Sequence, residues 1–330
     1  MPLFVDILLA TFAFVFGLIF GSFLNVCIYR LPRGLSVVAP RSACPNCAQP
    51  IAAYDNIPVL SWILLGGKCR NCKTPITPRY MIVELICGLL FLACFLEFAL
   101  WNPNHLFYTV PTNQGFSVLP LLQFVKYAVL SFLLLGLIFT DAETQLLPDK
   151  MTLSGLFIGL AFSVFVPMPP DILTSVFFDF VPVRIPAVYG ATFFSVFSAV
   201  MGTLIGGGFI WSVGALWKLI RGYEGMGFGD VKLMAMVGAF LGTTSTLLVI
   251  FGASLLGSLL GLATIAVVYL KRRGRYIKSL GNEQGPVRAR KATFVAYRFL
   301  PMPFGVSLGT MALAAIFFSR FFFHWYLGIA

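Results

Sequence analysis

Eight long apolar runs set the limits on how this chain can fold. A helix needs about 20 apolar residues to cross a hydrocarbon core of about 30 Å. Apolar residues make up 59% of the chain and charged residues 11%, whereas about a quarter of the residues in soluble domains are charged. We therefore expect an all-α membrane protein with eight transmembrane helices, within Leu3–Cys27, Tyr80–Trp101, Pro120–Thr140, Met151–Met168, Val188–Trp217, Val231–Leu241, Leu247–Leu270 and Leu300–His324.

The sixth run is the shortest and has two interpretations. If residues 242–246 (Gly-Thr-Thr-Ser-Thr) form its turn, about 11 residues rise only about 17 Å, roughly half a bilayer. A turn near Gly252 would instead give two helices of full length. Both interpretations keep the count at eight.

The first run is expected to stay in the protein as a helix. A cleavable signal begins with basic residues and ends at a small-residue cleavage site. This run carries Asp6 near its start and ends at Cys27, with Arg30 after it. We predict three regions: helix 1 over residues 1–29, a loop domain over 30–79 and a seven-helix domain over 80–330.

The basic residues predict the orientation, because short cytoplasmic loops carry an excess of Lys and Arg. All but three of the 23 Lys and Arg residues lie in alternate loops, the exceptions being Lys126, Arg184 and Arg320. This pattern places both termini in the periplasm of a bacterial inner membrane. The net charge of +11 then reflects topology and contact with the lipid bilayer, so no nucleic-acid role is expected.

Four of the seven cysteines form two C-x2-C pairs in the first basic loop: Cys44, Cys47, Cys69 and Cys72. Two such turns supply four thiolates to a tetrahedral site, which favours structural Zn(II) and leaves no position open for catalysis. A disulfide is disfavoured in the reducing cytoplasm. The other three, Cys27, Cys87 and Cys94, are expected to be small buried side chains in apolar helices.

Five acidic residues lie in two short segments that the charge pattern places in the cytoplasm: Asp141, Glu143, Asp149, Glu224 and Asp230. Asp149 follows a proline and precedes a helix, so an N-cap is its simplest role. Asp230 could also cap a helix. Gly227 and Gly229, which flank Phe228, favour a different role, because glycines allow an extended substrate to approach closely.

Asp141 and Asp230 are the candidate catalytic pair. Two carboxylates held close together share one proton, so one can accept a proton from water while the other donates to a peptide carbonyl. The pair titrates as a unit, so the sequence does not assign the proton to either aspartate. No Ser or His motif for another hydrolase mechanism is present.

Several motifs together make the chain resemble the bacterial type IV prepilin peptidases, which are GxGD aspartyl proteases. They occur in family order from the first helix to the sixth. They are residues 21–32, the cysteine pairs around Asp55–Pro58 and Ser61–Trp62, Arg79–Tyr80 with Glu84–Leu85, residues 141–149, and residues 227–230 followed by Lys232–Leu233. The segments 102–119 and 169–187 depart from compact family members and are expected to lie on the outer side.

The resemblance implies two activities. One is cleavage of a short basic leader from prepilins or pseudopilins at the cytoplasmic membrane face. The other is N-methylation of the new amino terminus with S-adenosylmethionine, for which the sequence offers no nucleotide-binding motif. Because acids concentrate in the catalytic segments, we hypothesise that Glu143, Asp149 and Glu224 attract the basic leader.

Two other functions remain possible from the residues alone. A presenilin-like intramembrane protease would use the same aspartates but gives no reason for the cysteine loop. A transporter or channel with a zinc-stapled loop would need more polar residues in its helices than the runs contain. Gly-x3-Gly pairs predict close helix packing within the chain or in a homodimer, with the partner unspecified.

Overall fold

In a computed structural model, the chain is described for residues 2–100, 118–168, 174–176, 178, 187–222, 227–297 and 304–327. The elements in these ranges are helices, joined by loops with two isolated β-bridges. In chain order they are α1 (Pro2–Arg30), α2 (Leu60–Leu64), α3 (Arg79–Phe95, continued by a π-turn over Leu96–Leu100), α4 (Leu119–Thr144), α5 (Asp149–Phe165), α6 (Ala187–Arg221), α7 (Phe228–Tyr297) and α8 (Phe304–Leu327).

Within the described ranges, five helices are long and apolar enough to cross a membrane, namely α1, α3, α4, α6 and α7. The chain is therefore an all-α, multi-pass membrane protein. Helix α5, with 17 residues, and the apolar part of α8 at Phe304–Phe318 are shorter. The count of eight spans stays a prediction. The count of five treats α7 as a single span and does not include α5 or α8.

Helix α7 reverses direction at Gly242, whose φ of 76° lies in the left-handed region. A Cβ built on Gly206 of α6 would lie 2.5 Å from the Met234 oxygen and 2.8 Å from Thr246 Cγ2. A straight helix would separate Met234 and Thr246 by about 18 Å. The turn thus lies at residue 242, and not near Gly252, which faces Met311 of α8. We call residues 228–241 the first leg and residues 243–270 the return leg.

Small residues bring the helices together where the Gly-x3-Gly pairs predicted close packing. Gly17 and Gly21 of α1 face Gly88 and Glu84 of α3. Gly202 and Gly206 of α6 face the first leg of α7, and Gly257 of the return leg faces Phe304 of α8. The contacts of these five glycines therefore lie within the chain.

Helix α4 occupies the middle of the bundle and contacts α1, α3, α5, α7 and α8. Its side chains from Leu130 to Leu137 are mostly buried, and its end brings Asp141 into the interior. Cys27, Cys87 and Cys94 are buried in α1 and α3, as the sequence predicts.

Candidate active site

Asp141 lies near the C-terminal end of α4 and is only 5% exposed. Its Oδ2 accepts a hydrogen bond of 2.9 Å from the backbone N–H of Val306, and the Gly305 backbone is a second donor. Gln145 caps the C-terminal end of α4 in a left-handed conformation, and its backbone N–H donates to the Asp141 carbonyl. The side chain and backbone of Asp141 are thus both held where α4 meets α8.

Asp230 lies in the first turn of α7 and is 8% exposed. Its backbone N–H donates to the Gly227 carbonyl at 3.1 Å, which closes the turn that starts the helix. A Cβ built on Gly229 would lie 3.0 Å from Leu147 Cβ. The absence of a side chain at Gly229 therefore lets the loop between α4 and α5 pack beside Asp230.

The two aspartates meet at Gly305, at the start of α8. A Cβ built on Gly305 would lie 2.8 Å from Asp141 Oδ2 and 3.4 Å from Asp230 Oδ1. Both carboxylates therefore face the same small space, although they are far apart in the chain. Buried carboxylates this close cannot both ionise easily, so the arrangement fits a pair that shares a proton.

Two of the acids proposed to attract the leader make ion pairs with basic residues. Glu143 pairs with Arg79 at the start of α3. Asp149 Oδ1 lies 2.6 Å from Lys232 Nζ, and the Asp149 side chain remains 60% exposed. Each pair includes a residue two positions along the chain from a candidate catalytic aspartate. Glu224 is outside the described residues, and Gly227 is exposed, with the Gly229 nitrogen at 3.9 Å as the nearest atom to a Cβ built there.

The four paired cysteines form one cluster, in which the Sγ atoms all lie within 4.8 Å of one another. Tetrahedral zinc with Zn–S bonds of about 2.3 Å requires sulfurs about 3.8 Å apart, and Cys44 Sγ and Cys72 Sγ are 3.7 Å apart. The two turns are alike. In each, the residue four positions after the first cysteine has a positive φ and donates to that cysteine's carbonyl, namely Ala48 and Lys73. The cluster can hold a metal ion.

Polar contacts around the cluster favour the thiolate form. Hydrogen bonds with the Thr74 side chain and backbone, and then with Asn46, lower the pKa of Cys72 to about 5. Arg70 forms a two-pronged ion pair with Asp55, at 2.6 and 2.7 Å, whose hydrogen bonds lower the pKa of Asp55. These contacts join the second cysteine turn to the segment between the two turns.

Glu84 fastens the cysteine loop to the helices. Its buried Oε2 accepts a hydrogen bond of 2.7 Å from the backbone N–H of Val59, which has a positive φ of 62°. Asn25 of α1 donates to the Tyr80 carbonyl, and Trp62 Nε1 donates to the Ile76 carbonyl. The loop is therefore held at the ends of α1 and α3, next to the Arg79–Glu143 pair.

The structure also identifies residues that the sequence did not. Gly305 and Val306 contact Asp141 but belong to an apolar helix that offers no chemical motif. The signal that could have found them is the Pro-Met-Pro segment at residues 301–303, which marks a helix start near the predicted cytoplasmic face. The sequence identifies Glu84 only as part of a family motif and does not predict its contact with the cysteine loop.

Family models match two parts of the chain. The model described as the bacterial peptidase A24 N-terminal domain matches residues 15–98, which include the cysteine cluster. The model described as the type IV leader peptidase family matches residues 128–262, which include both candidate aspartates. No solved structure is significantly similar.

Several proteins named prepilin leader peptidase/N-methyltransferase are similar over most of their length. The one from Aeromonas hydrophila is 34% identical over 76% of this chain and 80% of its own. That from Neisseria gonorrhoeae is 35% identical over 80% of this chain and 83% of its own. That from Burkholderia pseudomallei strain 1026b is 31% identical over 94% and 86%. The chain therefore belongs to the type IV leader peptidase family.

Proposed function

We propose that the protein is an aspartyl endopeptidase of the membrane that removes the basic leader from type IV prepilins or pseudopilins. The convergence of Asp141 and Asp230 at Gly305 carries this proposal. The family and the names of the relatives supply the substrate class. The same names support a second activity, N-methylation of the new amino terminus, for which S-adenosylmethionine is the proposed methyl donor.

The proposed chemistry needs one ionised and one protonated carboxyl group. The ionised aspartate accepts a proton from water while the water oxygen attacks the scissile carbonyl carbon. The protonated aspartate donates its proton to the carbonyl oxygen. When the tetrahedral intermediate collapses, the first aspartate returns its proton to the departing amine and the second regains one from the hydroxyl group.

The cysteine cluster is proposed to bind Zn(II) through Cys44, Cys47, Cys69 and Cys72. The four sulfurs and the absence of a fifth ligand among the described residues support a structural role. A loop with so little apolar core needs a cross-link such as a metal ion to fold. Glu84 is hydrogen-bonded to Val59 of the loop, so the metal would stabilise the loop against α3, the helix that carries Glu84 and Arg79.

The proposed topology has eight crossings, an active site on the cytoplasmic side and both termini in the periplasm of the inner membrane. The reversal at Gly242 supports this count, because it divides the α7 span into two antiparallel legs. The proposed regions are residues 1–29, 30–79 and 80–330. The basic residues after α1, before α3 and in the last turn of α6 support the orientation.

The aspartate pair is tested by Asp141→Asn and Asp230→Asn, assayed with a purified prepilin. We expect each to lower kcat at least about 100-fold, since positioned acid–base catalysis contributes about 10²–10⁴-fold. Asp6→Asn in α1 is the matched control and should cleave normally. Methylation of a pre-cleaved substrate should persist in both active-site variants, which would show that they are folded. Normal cleavage by both variants would refute the aspartyl mechanism.

A further inference from the structure

The first turn of α8 donates hydrogen bonds to Asp141 and not to Asp230. Val306 and Gly305 are the donors to Asp141, and Val306 N–H lies 2.9 Å from Oδ2. N–H groups in the first turn of a helix have no partner within the helix, so they are free to bind an acceptor. In the part of the chain that the structure describes, no N–H or O–H group donates to the Asp230 side chain.

This difference matters because two adjacent carboxyl groups compete for one proton. Hydrogen bonds donated to a carboxylate favour its ionised form. A helix N-terminus also favours a negative charge within its first turn. Asp230 lies in the first turn of α7 and shares that second effect, but of the two carboxylates only Asp141 receives direct donors from the backbone that the structure describes. The donors therefore break the symmetry of the pair.

We propose that Gly305 and Val306 are positioning residues that keep Asp141 as the ionised base, so that Asp230 carries the shared proton. This inference rests on the proposed peptidase function. It assigns the first proton transfer, from water, to Asp141 and the donation to the carbonyl oxygen to Asp230. Both carboxylates end the cycle in the protonation states in which they began it.

Gly305 can take this role only without a side chain. Its Cβ would lie 2.8 Å from Oδ2 and 3.0 Å from Cγ of Asp141, and the residue is buried. Ordinary contacts between non-bonded carbon atoms are about 3.5–4.0 Å. An alanine at position 305 would therefore push the Asp141 carboxylate away from the Val306 N–H.

The test compares Gly305→Ala with Gly309→Ala, one turn further along α8. A Cβ at Gly309 would meet the side chain of Ile138, which is also on α4, so both variants crowd the same helix pair. For Gly305→Ala we expect kcat to fall about 10-fold or more with little change in KM. The acidic limb of its pH–rate profile should move to higher pH, because the ionised form of Asp141 has lost its donors. Gly309→Ala should keep the wild-type pH profile.

Either of two results would overturn the proposal. One is a wild-type kcat and pH profile in Gly305→Ala, and the other is the same shift in both glycine variants. If the Asp141→Asn and Asp230→Asn variants are inactive, such a result refutes the positioning role alone. If those variants still cleave, the peptidase proposal itself fails.

A second measurement needs no variant and covers the case in which Gly305→Ala does not fold. An aliphatic epoxide is opened by an ionised carboxylate, whose oxygen bonds to the ring carbon while the ring oxygen takes a proton. We expect such a reagent to form an ester on Asp141 of the wild-type protein, identified by peptide mapping. Preferential labelling of Asp230 would contradict the assignment.

Discussion

The contact between α6 and the first leg of α7 predicts a strong effect of Gly238→Ala. A Cβ at Gly238 would overlap the carbonyl carbon and oxygen of Gly202 and lie 2.6 Å from the Thr203 nitrogen. All three atoms belong to the backbone, so no side chain can rotate away. Because Gly238 is two turns along the same helix from Asp230, the contact also fixes the position of that aspartate.

The size of the effect follows from the overlap. Restoring a contact of about 3.5 Å to Thr203 requires the two backbones to separate by about 1 Å. Overpacking of this kind costs about 1–3 kcal/mol, and a rigid backbone neighbour favours the upper end. Glycine to alanine in a helix also gains about 1 kcal/mol in propensity. Gly208→Ala on α6 provides the matched control, because a Cβ there would meet nothing within 4 Å.

The assay is reversible unfolding in mixed micelles, which gives the free energy of unfolding of both variants. The propensity gain is common to the two substitutions, so their difference isolates the packing cost. We expect Gly238→Ala to be less stable than Gly208→Ala by about 1–3 kcal/mol, with prepilin cleavage reduced only in Gly238→Ala. Equal stability of the two variants would show that the helices are not held at this contact.

Two further predictions concern the metal and the leader. Purified protein should contain one zinc ion per chain by elemental analysis, and Cys72→Ser should lose it. The control variant Cys87→Ser, which alters a buried cysteine outside the cluster, should retain the zinc. Retention of zinc in Cys72→Ser would exclude the four-sulfur site. Glu143→Gln, Asp149→Asn and Glu224→Gln should each raise KM for a basic leader by about 1.5- to 5-fold, the equivalent of a surface ion pair of about 0.2–1 kcal/mol, and should change KM for a neutralised leader less. Equal changes for both leaders would remove the case for electrostatic attraction.

The sequence predicts the helices and the cysteine cluster because both depend on local patterns. A run of about 20 apolar residues specifies a span wherever it occurs, and each C-x2-C turn places its own two sulfurs. The turn at Gly242 was also foreseeable, since a glycine before four small polar residues interrupts the apolar run. These features need no knowledge of distant contacts.

The surroundings of the aspartates depend on contacts between distant parts of the chain, and sequence patterns do not specify them. Gly305 meets Asp141 only because α8 packs antiparallel to α4, and its side chain, a single hydrogen atom, leaves no chemical signature. The Arg79–Glu143 and Lys232–Asp149 pairs also join separate helices. Each ion pair neutralises part of the negative charge proposed to attract the leader. The net negative charge that remains for this attraction therefore depends on which helices the fold brings together.

The unequal lengths of the surrounding helices bear on how deep the candidate catalytic pair would lie in a membrane. A Cβ at Gly207 would lie 3.4 Å from the Val231 oxygen, so Asp230 is level with about Ile210 of α6. From there α6 continues for about 12 Å before Lys218, the first basic residue near its end, and it exposes Trp211 and Trp217 on the way.

Lysine and arginine mark the cytoplasmic boundary of a membrane helix, so in the proposed orientation Asp230 would lie beneath that boundary on the α6 side. On the opposite side Arg79, at the start of α3, binds Glu143, two residues after Asp141, so the proposed boundary there would be level with the pair. A buried carboxylate is costly in hydrocarbon unless it is paired or reached by water. In the proposed orientation, we therefore expect a leader at the membrane surface to approach the pair from the side of α3 and the cysteine loop.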